Sequence, residues 1–320
     1  VIWIITLLMM AFSLVTVYSF VPILIKIEGG SPFLYLFKHL VYVVLGFGAM
    51  FVIHRVPAKY ISQLAKFAYY LGLALLLFTW FFGAEVNGAG RWIRIPFVNL
   101  TFQSSDFAKL ALIIYLSKLL VRKQQKFDNW KEGIFPLLIP IGLTCFLILK
   151  DNFSTAAMLF LLSMIMLFIG RVPLLKLLTL AGIGVGIVVL VVGAHLTFPD
   201  ANILPRYDTW MNRINNRVDA TNQSIESLQA NQQANNAKLA ISVGSVFGQG
   251  VGDGKLKEFL PEAYADFYYA TFVEEFGSGA ALVLVFLYLI LLYRMIRISL
   301  KTTDLFQSYV CMGIGIHLLT

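Results

Sequence analysis

Long apolar runs recur along this chain, and they constrain its fold more than any other feature. They cover approximately residues 1–24, 34–53, 62–82, 104–121, 134–149, 153–170, 174–197 and 267–293, and a ninth begins near 305. A helix needs about 20 mainly apolar residues to cross a bilayer core, whereas barrel strands would give short alternating segments between turns. The chain is 59% hydrophobic and 13% charged, with a mean hydropathy of +0.79. A soluble domain is nearer a quarter charged. The expected fold class is therefore all-α: a polytopic helical membrane protein, one transmembrane domain over 1–320, with eight complete spans and part of a ninth. Val1 opens the chain and the last run stops at Thr320 before it is long enough to span, so the sequence reads as a fragment. The first run has no small-residue cleavage site behind it and reads as a first span, not a signal peptide.

Basic residues divide unevenly between the two sides of such a bundle. Thirteen fall on one side: Arg55, Lys59, Lys66, Lys118, Arg122, Lys123, Lys126, Lys131, Arg171, Lys176, Arg294, Arg297 and Lys301. The short loops and span ends of the other side hold Lys26, Lys38, Arg91, Arg94, Lys109 and Lys150. By the positive-inside rule the N-terminus is cytoplasmic, and loops 83–103 and 198–266 face outward. The net charge of +8 thus belongs to short loops between apolar runs and does not point to nucleic acid. Cys145 and Cys311 lie inside apolar segments, which argues against a disulfide or a metal site. The large outer loop 198–266 contains "ATNQSIESLQANQQANN" at 220–236, a Gln- and Asn-rich stretch that reads as flexible or peripheral. A short interfacial helix is expected at about 236–245, followed by a tight glycine turn.

Polar residues at the outer ends of the runs are the candidate functional groups. Asp266 stands where the outer loop enters the eighth run. It is either a helix cap or a general base whose pKa partial desolvation would raise. Glu262 lies just before it. Glu274 and Glu275 follow two turns further in, and being consecutive they cannot share a helix face. Intramembrane carboxylates usually have a partner, so a structural hydrogen bond or ion pair is the expected role for both, with a partner in the fourth span. There "FQSSDFAKL" (102–110) puts Asp106 and Lys109 on one helix face. Lys109 either pairs with Asp106, snorkels outward or holds an anionic phosphate. Upstream, "NGAGRWI" (87–93) supplies Asn87, Arg91 and Trp92, and "DNFSTA" (151–156) supplies Asn152. No P-loop, nucleophile elbow or dinucleotide fingerprint is present, and the four histidines lack metal-ligand spacing.

These segments resemble the SEDS family (shape, elongation, division and sporulation; FtsW/RodA). Members carry N-G-A-x-R-W-I followed by F-Q-P-S-E-x-x-K-L, then A-I-x-S-G-x-x-x-G-x-G, L-P-E-x-x-T-D-F-x-F-A and E-E-x-G. The last three stand here as "AISVGSVFGQGVG" (240–252), "LPEAYADFYYA" (260–270) and "EEFG" (274–277). The chain has Ser104-Ser105-Asp106 where the family has Pro-Ser-Glu, Ala265 where it has Thr, and Asn152 where it often has Asp. The last variant and "MLFIGRVP" (166–173) are closer to the division branch.

The resemblance implies about ten spans in the full protein. It also implies a glycosyltransferase that polymerises lipid II into glycan strands at the outer face of the bacterial cytoplasmic membrane, with undecaprenyl diphosphate as leaving group. A cognate class B penicillin-binding protein and other divisome proteins would be its partners. The family's essential Asp falls on Asp266. Lys109, Arg91, Asn87, Glu262, Asp106 and Trp92 would bind substrate, while Glu274, Glu275 and Asn152 would shape the cavity. A divalent cation, Mg or Mn, or the basic residues would neutralise the departing diphosphate. Rival readings are an elongation polymerase, a non-catalytic scaffold and a lipid II flippase, the last drawing on Lys38, His39 and Glu275 as polar groups within the membrane.

Overall fold

The computed structural model of the chain describes residues 1–86, 89–95, 100–149, 152–197, 225–260, 263 and 266–319. The helices follow the apolar runs closely: α1 Ile2–Glu28, α2 Pro32–Arg55, α3 Ala58–Phe82, α4 Ser104–Lys123, α5 Phe135–Leu149, α6 Phe153–Ile169 and α7 Leu174–Thr197. After the outer loop come α8 Ile225–Gly244, α9 Tyr268–Lys301 and α10 Leu305–His317. Among the described residues, six helical segments are long and apolar enough to cross a membrane. The apolar α6 has 17 residues, and α4 buries polar residues that lower its hydropathy, including Ser104, Ser105 and Ser117.

Two departures from the expectation of helices joined by loops stand out. Residues 84–103 include a three-stranded antiparallel sheet of β1 Ala84–Val86, β2 Ala89–Ile95 and β3 Leu100–Gln103. Trp92 pairs with Gln103 and Ile95 with Leu100. Its strands are too short for a period-2 pattern to stand out against the apolar runs around them. The second departure is α8, which starts at Ile225 rather than near 236. The Gln- and Asn-rich stretch from there on is therefore helical, with Asn236 Nδ2 donating to the Phe259 carbonyl at 3.4 Å.

The chain forms two compact units, one of residues 1–55 and 205–294, the other of 56–204 and 295–320. In the second unit, α4 is the central element, packed by α3, α5, α6 and α10. Helix association in lipid relies on close van der Waals approach at small residues rather than on the hydrophobic effect. Gly72 of α3 meets Ala108 of α4 so closely that an added Cβ would lie 3.2 Å from the Ala108 Cα. A Cβ on Gly313 of α10 would sit 2.7 Å from Ile113 Cγ2 and 2.9 Å from Met166 Cε. Around these contacts Ile113, Leu116, Leu120, Leu137 and Ile141 are essentially inaccessible. The buried hydroxyls are satisfied: Ser117 donates to the Ile113 carbonyl of its own helix at 2.8 Å, and Thr79 of α3 and Ser104 of α4 bond each other at 2.9 Å.

In the first unit α1 and α2 form an antiparallel pair, and α2 buries none of its side chains. A stack of rings holds the start of α9: Phe272 lies 4.5 Å from Phe276 and 5.8 Å from Phe12 between centroids. Replacing Gly72 by Val should cost about 1–3 kcal/mol through overpacking against α4. It should appear as a lower Tm in detergent, whereas Gly142→Ala, with nothing within 4 Å of an added Cβ, should leave Tm unchanged. Equal stability of the two variants would show that the α3–α4 approach is not that tight.

Candidate functional site

Asp266 lies in the turn immediately before α9 and is exposed. The helix begins at Tyr268, and among the described residues the Asp266 carboxylate accepts no backbone hydrogen bond from it. The capping role that position alone suggested is thus not seen. The chain around it is anchored by its neighbours. Leu260 and Ala263 are buried with Phe20 and Ile23 of α1, and Phe267 packs against that cluster. Thr271 Oγ1 turns back to the Tyr268 carbonyl at 3.0 Å and the Phe267 carbonyl at 3.2 Å. An accessible carboxylate thereby stands on a segment whose flanks are fixed.

The 3₁₀ turn Leu256–Phe259 is pinned by an ion pair that the sequence alone did not reveal. Lys257 lies in a 3₁₀ turn, Leu256–Phe259, and its ammonium donates to Glu275 Oε1 at 2.6 Å. It also donates to Ser19 Oγ at 2.8 Å, the Ser19 carbonyl at 3.1 Å and the Gly252 carbonyl at 3.2 Å. Ser19 Oγ in turn donates to Glu275 Oε1. The side chains of Lys257 and Glu275 are 4% and 2% exposed, so neither charge has water as an alternative partner. Next to them Glu274 Oε1 accepts the Leu256 amide at 2.9 Å. The partners of the two glutamates are Lys257, Ser19 and the Leu256 backbone rather than groups of the fourth span, and Glu274 Oε2 is buried with no hydrogen-bond partner among the described residues. Lys257 escaped notice because "GDGKLKEF" looks like an ordinary charged loop. The available signal was the pair of adjacent glutamates, which requires a cation from somewhere.

A backbone arrangement makes room for this pair. Helix α9 breaks at Gly277, which has φ 81° and ψ 165°. The break leaves the carbonyls of Glu274 and Glu275 and the amides of Ser278 and Gly279 without helical partners. The loop after α8 supplies them: Gln249 N donates to Glu274 O at 2.9 Å and Gly250 N to Glu275 O at 3.1 Å. Ser278 N donates to Ser245 O at 2.9 Å and Gly279 N to Val246 O at 3.2 Å. Irregular backbone is tolerated in such proteins only where protein groups satisfy it. Gly248 adopts φ 78°, and a Cβ there would collide with the Glu275 carbonyl. This is the tight glycine turn expected after the interfacial helix.

Apart from Glu262, the remaining candidate residues belong to the other unit. Lys109 Nζ contacts Asp106 Oδ1 at 2.7 Å, with side-chain exposures of 17% and 55%. That is the first of the alternatives left open for Lys109. Asp106 is also in the first turn of α4, where the helix dipole favours a negative charge. Trp92 is half-buried on β2. Arg91 is the preceding β2 residue, and its side chain lies outside the described residues, as do Asn87 and Glu262 entirely. Asn152 caps α6, its Oδ1 accepting the Thr155 amide at 3.1 Å. Among the described residues no three His, Cys, Asp or Glu side chains form a set fit for a metal ion. Asp106 and Glu275 are each paired with a lysine.

A bundle of apolar helices, one of them interrupted with a glycine loop bonded to the break and an exposed carboxylate just before its start, defines a polytopic membrane protein. A family model described as cell cycle protein, covering FtsW, RodA and SpoVE, matches residues 1–320, and the chain belongs to this family. A protein of Geobacter sp. (strain M18) named "Probable peptidoglycan glycosyltransferase FtsW" is 32% identical over 313 residues, covering 96% of this chain and 80% of that one. The Coxiella burnetii protein of the same name is 29% identical over 325 residues, covering 99% and 83%. Among solved structures, a chain of a peptidoglycan synthase complex that coordinates polymerization and crosslinking superposes with a TM-score of 0.68 at 22% identity, covering 99% of this chain and 82% of that one. The rod shape determining protein RodA of Thermus thermophilus gives 0.57 at 20% identity, covering 97% and 80%. These two share the fold.

Removing one member of a buried ion pair leaves the other charge stranded, at a cost of about 3–5 kcal/mol. Lys257→Met should therefore be strongly destabilised in detergent unfolding, and Lys257→Met combined with Glu275→Leu should regain most of the loss. Strictly additive losses in the double variant would show that the two charges do not depend on each other.

Proposed function

We propose that this chain is a peptidoglycan glycosyltransferase that polymerises lipid II at the outer face of the cytoplasmic membrane for septal wall synthesis in cell division, with its N-terminus in the cytoplasm. The observation that carries this reading is an exposed Asp266, on a segment fixed at both flanks, in a chain matched along its length by relatives named FtsW. A class B penicillin-binding protein and other divisome proteins are its proposed partners.

In the proposed reaction the 4-hydroxyl of GlcNAc in one lipid-linked disaccharide attacks the anomeric carbon of the other. The new C–O bond forms as the bond to diphosphate breaks, and undecaprenyl diphosphate departs with the electron pair. The hydroxyl proton passes to Asp266. A sugar hydroxyl is a weak nucleophile, and a positioned carboxylate base contributes roughly 10²–10⁴-fold. Lys109, oriented by its contact with Asp106, and Arg91 are the proposed cations for phosphate, with Asn87, Glu262 and Trp92 completing the substrate contacts. A relay of free polar groups across the membrane would favour transport, but Glu275 is tied to Lys257 and Ser19 and is unavailable for one.

The test is strand formation from purified lipid II by the protein with its partner, the transpeptidase being blocked. Asp266→Asn should lower the rate by about 10²-fold or more while Tm stays near that of the wild type. Strands made by Asp266→Asn at the wild-type rate would overturn the assignment of the base.

A further inference from the structure

Lys38 and His39 are polar residues of α2 that the proposed reaction does not use. Lys38 is about two turns into a helix that buries no side chain of its own. It is half-buried and makes no hydrogen bond or ion pair with any described residue. Ionisable groups inside membrane helices as a rule face a partner or a wet cavity, and here there is a cavity. It measures about 440 Å³ and lies between α1, α2 and the start of α9, within the range of small-ligand sites.

The lining has two parts. Lys38 and His39 form a polar end, with His39 Nε2 held by Ser13 Oγ at 3.1 Å, and no carboxylate is among the lining residues. Val17, Phe20 and Leu24 of α1 form an apolar wall. Their spacing of three and four residues keeps them on one helix face, in a strip roughly 10 Å long. A lysine with no acid beside it next to an apolar strip suits an anionic head joined to a hydrocarbon chain. An ammonium serves phosphate as a compact point charge. Tyr268 shares the wall, within 3.4 Å of Thr16, and it is two residues from Asp266.

We infer that this cavity binds the diphosphate end of a polyprenyl lipid, with Lys38 on the phosphates and the first part of the chain along Val17, Phe20 and Leu24. The inference rests on the polymerase reading for the choice of polyprenyl diphosphate over a bulk phospholipid, because of the short path from Tyr268 to Asp266.

The test titrates the purified protein, in nanodiscs of phosphatidylcholine, with a long-chain polyprenyl diphosphate, bound lipid being read by native mass spectrometry. Lys38→Gln should weaken binding about tenfold or more, Lys38→Arg should restore it, and the uncharged polyprenol should not compete. Binding unchanged in Lys38→Gln overturns the proposal. So does displacement by phosphatidylglycerol at equal concentration, which would make this a phospholipid site. Should Lys38→Gln fail to fold, a photoreactive polyprenyl diphosphate on the wild type should label peptides within 13–42, and labelling confined elsewhere overturns the site. Binding is read without turnover. A wild type that binds through Lys38 but makes no strands sinks the polymerase and leaves the site, whereas strands made with binding indifferent to Lys38 sink the site alone.

Discussion

The buried pair of Lys257 and Glu275 is the interaction on which the first unit depends. Two charges shielded from water hold together only if each is fully satisfied, and here the lysine has four acceptors drawn from three segments of chain. Ser19 comes from α1, Gly252 from the glycine loop and Glu275 from α9. The pair thus fixes where the glycine loop and the 3₁₀ turn meet the two helices. Net stabilisation from such a pair is small compared with its effect on geometry, because desolvation cancels much of the attraction. Its contribution is to permit one arrangement of the loop and to penalise others.

The break at Gly277 belongs to the same design. An uninterrupted α9 would use the Glu274 and Glu275 carbonyls internally and leave the loop amides of Gln249 and Gly250 nothing to bond. With the break, loop and helix exchange four backbone hydrogen bonds, and glycines supply the close approach this exchange requires. The other unit is held differently, by small residues at the α3–α4 and α10–α4 contacts and by hydroxyls bonded within their own helices. That construction suits a rigid scaffold, whereas the first unit presents an accessible acid and a cavity.

Much of this was legible from the sequence. The apolar runs predict α1 to α7 and the starts of α9 and α10 to within about four residues, since length and hydropathy are what a bilayer demands, whereas α9 runs on to Lys301, past the expected end at 293. The glycine turn after α8 was also foreseen, as was the need of Glu274 and Glu275 for partners. The partner of Glu275 was not, because a buried lysine in a polar loop becomes visible only once tertiary packing has removed its water. The sheet at 84–103 escaped for a related reason: three short strands between two spans carry little periodicity. The helical state of 225–236 was missed because composition reports low burial, not the backbone. Asp266 was located by position, but whether it capped α9 could be decided only by the helix start at Tyr268.

The most direct test of this account is amide hydrogen exchange in wild type and Lys257→Gln. The account predicts that the variant loses protection from 244 through 260 and across the first turns of α9, with the amides of α3 to α6 unchanged, and that strand formation falls with it. Unchanged protection of 244–268 in the variant would contradict the claim that this buried pair holds the acid-bearing segment in place.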